Sequence, residues 1–324
     1  MKNFRLLREY LRGSGKTYIL TLTAVLLMTV FSSMTPLVIA FTVDSVIGGK
    51  PVDLPAFLES RIDAESAVAY IRNNLWIILL VLVSITLLQG VFLFLRGKYS
   101  AVSAQVSSKR MREKLYDHLQ HLPFDYHVKA QTGDLIQRCT SDIETVQNFI
   151  ASQSVDALQI IAQVIVVLSI MISMSLRYTL ISIALVPIVF VITVRFFINM
   201  MKVFIRSDEA EGHMTTTLQE NLTGVRVVKA FGAQNFEMEK FDEKNRTFRD
   251  LSMKIIRLMA NFWSGTDLLC MLQHALVIAV GAYWVVKDQV TIGTVVAFSS
   301  YTGMLVWPLR NLGQMMGFMG QAFV

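Results

Sequence analysis

Most side chains in this 324-residue chain that could do unusual chemistry lie inside or beside long apolar runs. Asp267 and His274 are one heptad apart and so share a helix face. Both titrate, so the pair could relay a proton or line a cavity that recognises a polar or cationic molecule. Gln89, Gln159, Gln163 and Gln273 place amides in comparable surroundings, and Trp307 with Arg310 adds an aromatic face and a fixed charge. Gln89, Gln163, Asp267, His274, Trp307 and Arg310 are the candidate cavity residues. Each also has a plainer use, as a hydrogen bond between helices or, for Asp267, as a solvated group at the end of its run. His118, His121 and His127 are close in sequence, but no cysteine or carboxylate completes a ligand set, and no metal is expected. Gly13-Ser14-Gly15-Lys16-Thr17 has the composition of a phosphate loop without its spacing or a preceding strand. Cys139 and Cys270 belong to segments on different sides of an apolar boundary, and no disulfide is expected between them. No catalytic constellation emerges.

The apolar runs explain why these polar groups stand out. The chain is 53% hydrophobic and only 17% charged, against about 45–50% and about 25% in soluble domains. That balance excludes a disordered chain, and two cysteines exclude a disulfide scaffold; the net charge of +6 is gathered beside apolar runs, not in a nucleic-acid-binding arm. Six blocks carry the apolar residues, near 18–43, 75–95, 158–174, 178–201, 268–286 and 295–324. Each approaches the ~20 residues that cross a ~30 Å hydrocarbon core as a helix, and the alternation of barrel strands is missing. The expected fold is all-α, a polytopic membrane protein with six long transmembrane helices extending into the cytoplasm. Pro36 and Pro187 are expected to kink their helices.

Lys2, Arg5, Arg8, Arg12 and Lys16 face a single acid, Glu9, before the first run, whereas 44–72 is mostly acidic. Basic residues mark the cytoplasmic side, so both termini and the two long polar connections, 96–156 and 202–267, are placed inside. Phe4, Leu7 and Leu11 at helical spacing make residues 1–16 an amphipathic basic segment. Within the second connection Phe241, Phe248, Leu251, Ile255, Leu258 and Phe262 form one seam, and within the first Ile136, Ile143, Val146 and Ile150 do the same. The spans therefore continue into the cytosol as stiff hairpins. Leu75 to His121, if continuous, extends roughly 70 Å. Pro123 and Gly133 bracket one tip and Gly224 interrupts the other.

These tips carry a resemblance. Pro123-Phe124-Asp125-Tyr126 followed by Thr132-Gly133-Asp134-Leu135-Ile136-Gln137-Arg138 and Ser141-Asp142-Ile143 resembles the first intracellular loop of ATP-binding cassette exporters. Glu220-Asn221-Leu222-Thr223-Gly224-Val225-Arg226-Val227-Val228-Lys229-Ala230-Phe231, with Phe241 after it, is similar to their second. Val290-Thr291-Ile292-Gly293-Thr294-Val295-Val296-Ala297-Phe298 with Pro308-Leu309 resembles the entry to their sixth span. Three motifs in family order cover nearly the whole chain.

The resemblance implies a bacterial multidrug or lipid exporter half-transporter in the inner membrane, with residues 1–16 as an elbow helix and 17–324 as the six-span domain. Phe124, Asp125, Tyr126, His127, Val128 and Lys129 would form a first coupling helix, and Glu220, Asn221, Leu222, Thr223 and Gly224 a second, each seated on a nucleotide-binding domain. No G-x-x-x-x-G-K-[ST] occurs before Val324, so that domain is expected outside this chain, fused downstream or supplied in trans. This chain would then need no cofactor itself; ATP and Mg would act through the ATPase domains. The expected partners are membrane lipid, those domains and a second half-transporter, identical or not, with no nucleic acid. A proton-coupled secondary transporter built on Asp267 and His274 is the alternative.

Overall fold

A computed structural model describes residues 14–49, 64–130 and 132–322. Residues 1–13 of the expected elbow segment lie outside the described residues, and residues 15 and 16 belong to the first helix. Helix α1 is Gly15–Phe41, extended by a wide π turn over Thr42–Ile47. Then come α2 (Ala64–Asn73), α3 (Trp76–Gln120), α4 (Phe124–Lys129), α5 (Thr132–Gln137), α6 (Ile143–Asn148) and α7 (Ser154–Met174). After α8 (Leu176–Ser182) follow α9 (Val186–Thr223), α10 (Val225–Ala230), α11 (Gln234–Val286) and α12 (Ile292–Ala322). No strand occurs among the described residues.

Among the described residues, five stretches are long and apolar enough to cross a bilayer: Gly15–Ile47, Trp76–Gln120, Leu135–Met174, Leu176–Thr223 and Gln234–Val286. The sixth expected block falls on α12, a helix of 31 residues. With 45, 38 and 53 residues, α3, α9 and α11 are roughly 68, 57 and 80 Å long, about two to nearly three times the hydrocarbon core. The extension of the spans beyond the bilayer, inferred from periodicity, is thus built from continuous helix.

The chain divides into two compact units, 1–184 with 272–324, and 185–271. In the first, α1 runs along α3 on a line of small side chains, Ser100, Ser103, Ala104, Ser107 and Ser108, all buried. Small residues at three- and four-residue spacing let two backbones approach, and hydroxyls bridge the gap: Ser14 Oγ is 3.1 Å from Ser107 Oγ. Wide turns at Arg138–Asp142 and Phe149–Gln153 join α5, α6 and α7, and the second frees the Ala151 carbonyl for the Ser100 hydroxyl. A second focus is aromatic. Tyr178 stacks on Phe298 with centroids 4.3 Å apart, and its hydroxyl donates to the Val277 carbonyl at 2.7 Å. The Tyr301 hydroxyl donates to the Ser33 carbonyl at 2.7 Å. Both tyrosines are fully buried, and both polar ends are satisfied. Gly281 is required beside them, because a Cβ there would stand 2.2 Å from the Tyr178 hydroxyl.

In the second unit, Phe196 of α9 stacks on Phe262 of α11 at 4.1 Å. The seam from Phe241 to Phe262 is the half-buried or buried face of α11, matched on α9 by Val203, Ser207, Ala210 and Thr217. Two expectations need correction. Pro187 lies in the first turn of α9, where its missing N–H costs nothing; it starts a helix after a break at 183–185 and kinks none. Ile136 leaves the proposed seam and is 59% exposed, whereas Ile143 and Ile150 are buried.

Candidate functional site

The first tip is made by Pro123. Its ring ends α3, its extended backbone (ψ 151°) turns the chain, and α4 follows as one short crosspiece. His121 Nδ1 donates to the Asp117 carbonyl at 2.8 Å, and His127 Nε2 to that of Leu119 at 3.1 Å. Both rings thereby satisfy carbonyls at the open end of α3, a use that spacing alone did not reveal. Phe124 is 80% exposed, and Tyr126 and Val128 are exposed beside it.

At the second tip the expected crosspiece is displaced. Glu220, Asn221, Leu222 and Thr223 are the last turn of α9, and the separate helix is α10, which begins after Gly224. Gly224 caps the end of α9, and the short helix α10 follows it. Glu220 and Asn221 tie the two legs of the hairpin: Lys240 Nζ reaches Glu220 Oε2 at 3.3 Å, and Asn221 Nδ2 donates to Glu237 Oε2 at 3.3 Å. Gly232, with φ +63°, makes the return turn that a side chain would strain. Val227 and Phe231 are exposed, the latter at 81%.

The candidate cavity residues have mixed surroundings. Gln163 Nε2 donates to the Met304 carbonyl at 2.8 Å, and buried Gln273 donates to that of Ile181 at 3.0 Å, so both link helices. His274 faces Gly303: a Cβ there would be 3.5 Å from its Nε2. Asp267 is exposed and stands seven residues before His274 on α11, about 10 Å along the axis. Arg310 is buried, with its guanidinium 5.7 Å from the ring centre of exposed Trp307. Gln89 is half-buried on α3.

Two features were missed. One is a clasp between the end of α1 and the start of α12. Asp44, in the wide turn ending α1, accepts from the Gly293 backbone N–H at 2.8 Å and from the Thr291 hydroxyl at 2.5 Å. The carboxylate sits over the first turn of α12, where unpaired N–H groups and the helix dipole favour an anion. A Cβ on Gly293 would be 2.4 Å from both the Ala40 carbonyl oxygen and Asp44 Oδ2, which explains the glycine in that motif. The other is Arg195, a charge inside the fourth apolar block, exposed on α9. A search for basic residues within apolar runs would have found it.

The comparisons agree with this architecture. A family model described as the ABC transporter transmembrane region matches residues 18–309. The uncharacterized ABC transporter ATP-binding protein YknU of Bacillus subtilis is 26% identical over 322 residues, 99% of this chain and 52% of that protein. YfiC of the same organism, also an uncharacterized ABC transporter ATP-binding protein, is 24% identical over 314 residues, 94% of this chain and 47% of that one. The multidrug resistance-like ATP-binding protein MdlA of Buchnera aphidicola is 29% identical over 202 residues, 62% of this chain and 35% of its own length. The chain spans about half the length of the curated relatives it matches most fully.

Proposed function

Because the chain belongs to the ABC transporter transmembrane-region family, we propose that it forms the translocation pathway of an ATP-driven exporter of drugs or lipids. The observation that carries this is the pair of tips at the ends of helices far longer than a bilayer: short α4 with exposed Phe124 and Tyr126, and short α10 with exposed Phe231 directly after it. Exposed aromatics on a rigid support suit docking, since such side chains anchor interfaces. Nucleotide-binding domains would seat these tips on the cytoplasmic side; the relatives are named as ATP-binding proteins, and their extra length can hold such domains. ATP and Mg act there, and this chain performs no chemistry. Closure of two ATPase domains would move the stalks as rigid bodies and alternate access between the two sides of the inner membrane. A second half-transporter, identical or not, completes the pathway, with Gln89, Gln163, Asp267, His274, Trp307 and Arg310 as candidate cavity residues.

The docking is tested by purifying the full-length transporter with Phe124→Ala or Phe231→Ala. Loss of ATP-driven transport with continued ATP hydrolysis and unchanged thermal stability is expected. Transport at the wild-type rate in both variants would remove the tips from the mechanism.

A further inference from the structure

Arg195, Asn199, Lys202 and Arg206 follow one another on α9 at spacings of four, three and four, which places them on a single line down the helix. All four are exposed. The packed side of α9 lies elsewhere: Thr193, Val203, Ser207 and Ala210 are buried, and Phe196 stacks on Phe262. The line spans residues 195–206, about 16 Å, and rises from the cytosolic part of the helix into the apolar run that begins at Val186. Glu209 continues it at the cytosolic end, yet among the described residues no ion pair engages Arg195, Lys202 or Arg206. Lys202 and Arg206 flank a span, where basic residues are ordinary. Arg195 stands seven residues deeper, where a charge is costly unless it meets water or an anion.

From this we infer that the line is a binding ladder for the phosphate of an anionic membrane lipid drawn from the inner leaflet. Three cations at one- to two-turn intervals can pass a phosphate between them, and guanidinium groups bind it through paired hydrogen bonds. Val191, Ile192, Ile198 and Ile205, exposed large apolar side chains beside the line on the same helix, offer the acyl chains a surface along the same path. The combination fits an amphiphile rather than a free ion. The inference deepens the export reading, on which it depends only for the side of the membrane the ladder faces.

The test is native mass spectrometry of the detergent-solubilised chain titrated with phosphatidylglycerol and, separately, phosphatidylcholine. Each basic residue near an anionic lipid surface contributes roughly fivefold in affinity, so three give a preference for phosphatidylglycerol on the order of a hundredfold. Arg195→Gln/Lys202→Gln/Arg206→Gln should abolish that preference while leaving phosphatidylcholine binding unchanged, which also reports that the variant is folded. Should it fail to fold, the single variants decide: Arg195→Gln lowers the preference about fivefold and Arg195→Lys retains most of it. Arg246→Gln/Arg249→Gln, off the ladder, should change nothing, and inorganic phosphate should not displace the lipid. A wild-type chain without preference, a triple variant that keeps it, equal loss in the off-ladder variant, or displacement by inorganic phosphate would each overturn the inference. So would a change in monomer–dimer ratio in the triple variant with lipid preference intact, which would make the line an interface between copies. ATP-driven flux of the wild-type full transporter is scored separately: a wild type with flux but no lipid preference sinks only the ladder, and one with the preference but no ATP-driven flux sinks only the export reading.

Discussion

Replacing Asp44 with alanine removes a carboxylate that joins the end of the first span to the beginning of the last. Asp44 accepts two hydrogen bonds, from the Gly293 N–H at 2.8 Å and the Thr291 hydroxyl at 2.5 Å. Hydrogen bonds to a charged group contribute about 1.5–3 kcal/mol each, and a helix N-terminus adds about 0.3–1 kcal/mol to an anion near it. Part of this returns when water solvates the half-buried site, which leaves a net loss of about 2–4 kcal/mol. Asp44→Asn, which keeps an acceptor oxygen but loses the charge, should lose about half as much. Thr291 also accepts from the Thr294 N–H at 3.1 Å, so Thr291→Val should be destabilising by itself, and its effect should overlap with that of Asp44→Ala. The double variant is therefore expected to fall short of the sum by about 1 kcal/mol. The assay is unfolding in mixed micelles titrated with sodium dodecyl sulfate, followed by circular dichroism. A change below about 0.5 kcal/mol for Asp44→Ala, the size typical of a neutral surface substitution, would refute the clasp.

Gly281→Ala should be among the most damaging small substitutions, at about 1–3 kcal/mol, because its methyl meets the Tyr178 hydroxyl at 2.2 Å; the same unfolding assay should show partial rescue when Tyr178→Phe removes that hydroxyl. Tyr301→Phe should cost about 1–2 kcal/mol through loss of its bond to the Ser33 carbonyl, measured in the same way. Ser107→Leu inserts bulk where α1 and α3 meet at buried serines and should destabilise by about 1–3 kcal/mol. Phe124→Ala and Phe231→Ala, at 80% and 81% exposed positions, should stay within about 0.5 kcal/mol of wild type in that assay even where they abolish coupled transport.

Much of this architecture was legible because hydrophobic periodicity is a local signal with a long reach. The seam from Phe241 to Phe262 identified a packed helix beyond the membrane, and its residues are the half-buried face of α11. Pro123 located the first tip because its ring and missing N–H disfavour continuing α3 and the polar stretch after it offers no packed face to carry the helix on, whereas Pro36 stays within α1. Glycine is less directional. Gly224 marked the second tip, but its position alone did not say on which side the crosspiece lay, and Glu220 to Thr223 proved to be helix end rather than crosspiece. Asp44 was unreadable for a different reason: its partners Thr291 and Gly293 lie about 250 positions later in the chain, and no local pattern encodes that meeting. Gln163 and Gln273 were recognised as polar groups in apolar runs, yet which carbonyl each would meet depended on helix rotation, which sequence spacing does not fix.

The central claim is that this chain is a pathway driven by ATP through its cytoplasmic tips. Flux in proteoliposomes tests it most directly, with the chain alone compared with the chain joined to its nucleotide-binding domains, under ATP and under an imposed pH gradient. The account predicts outward flux only for the joined form and only with ATP. Movement of substrate by the chain alone down a proton gradient, abolished by Asp267→Asn or His274→Gln, would contradict it.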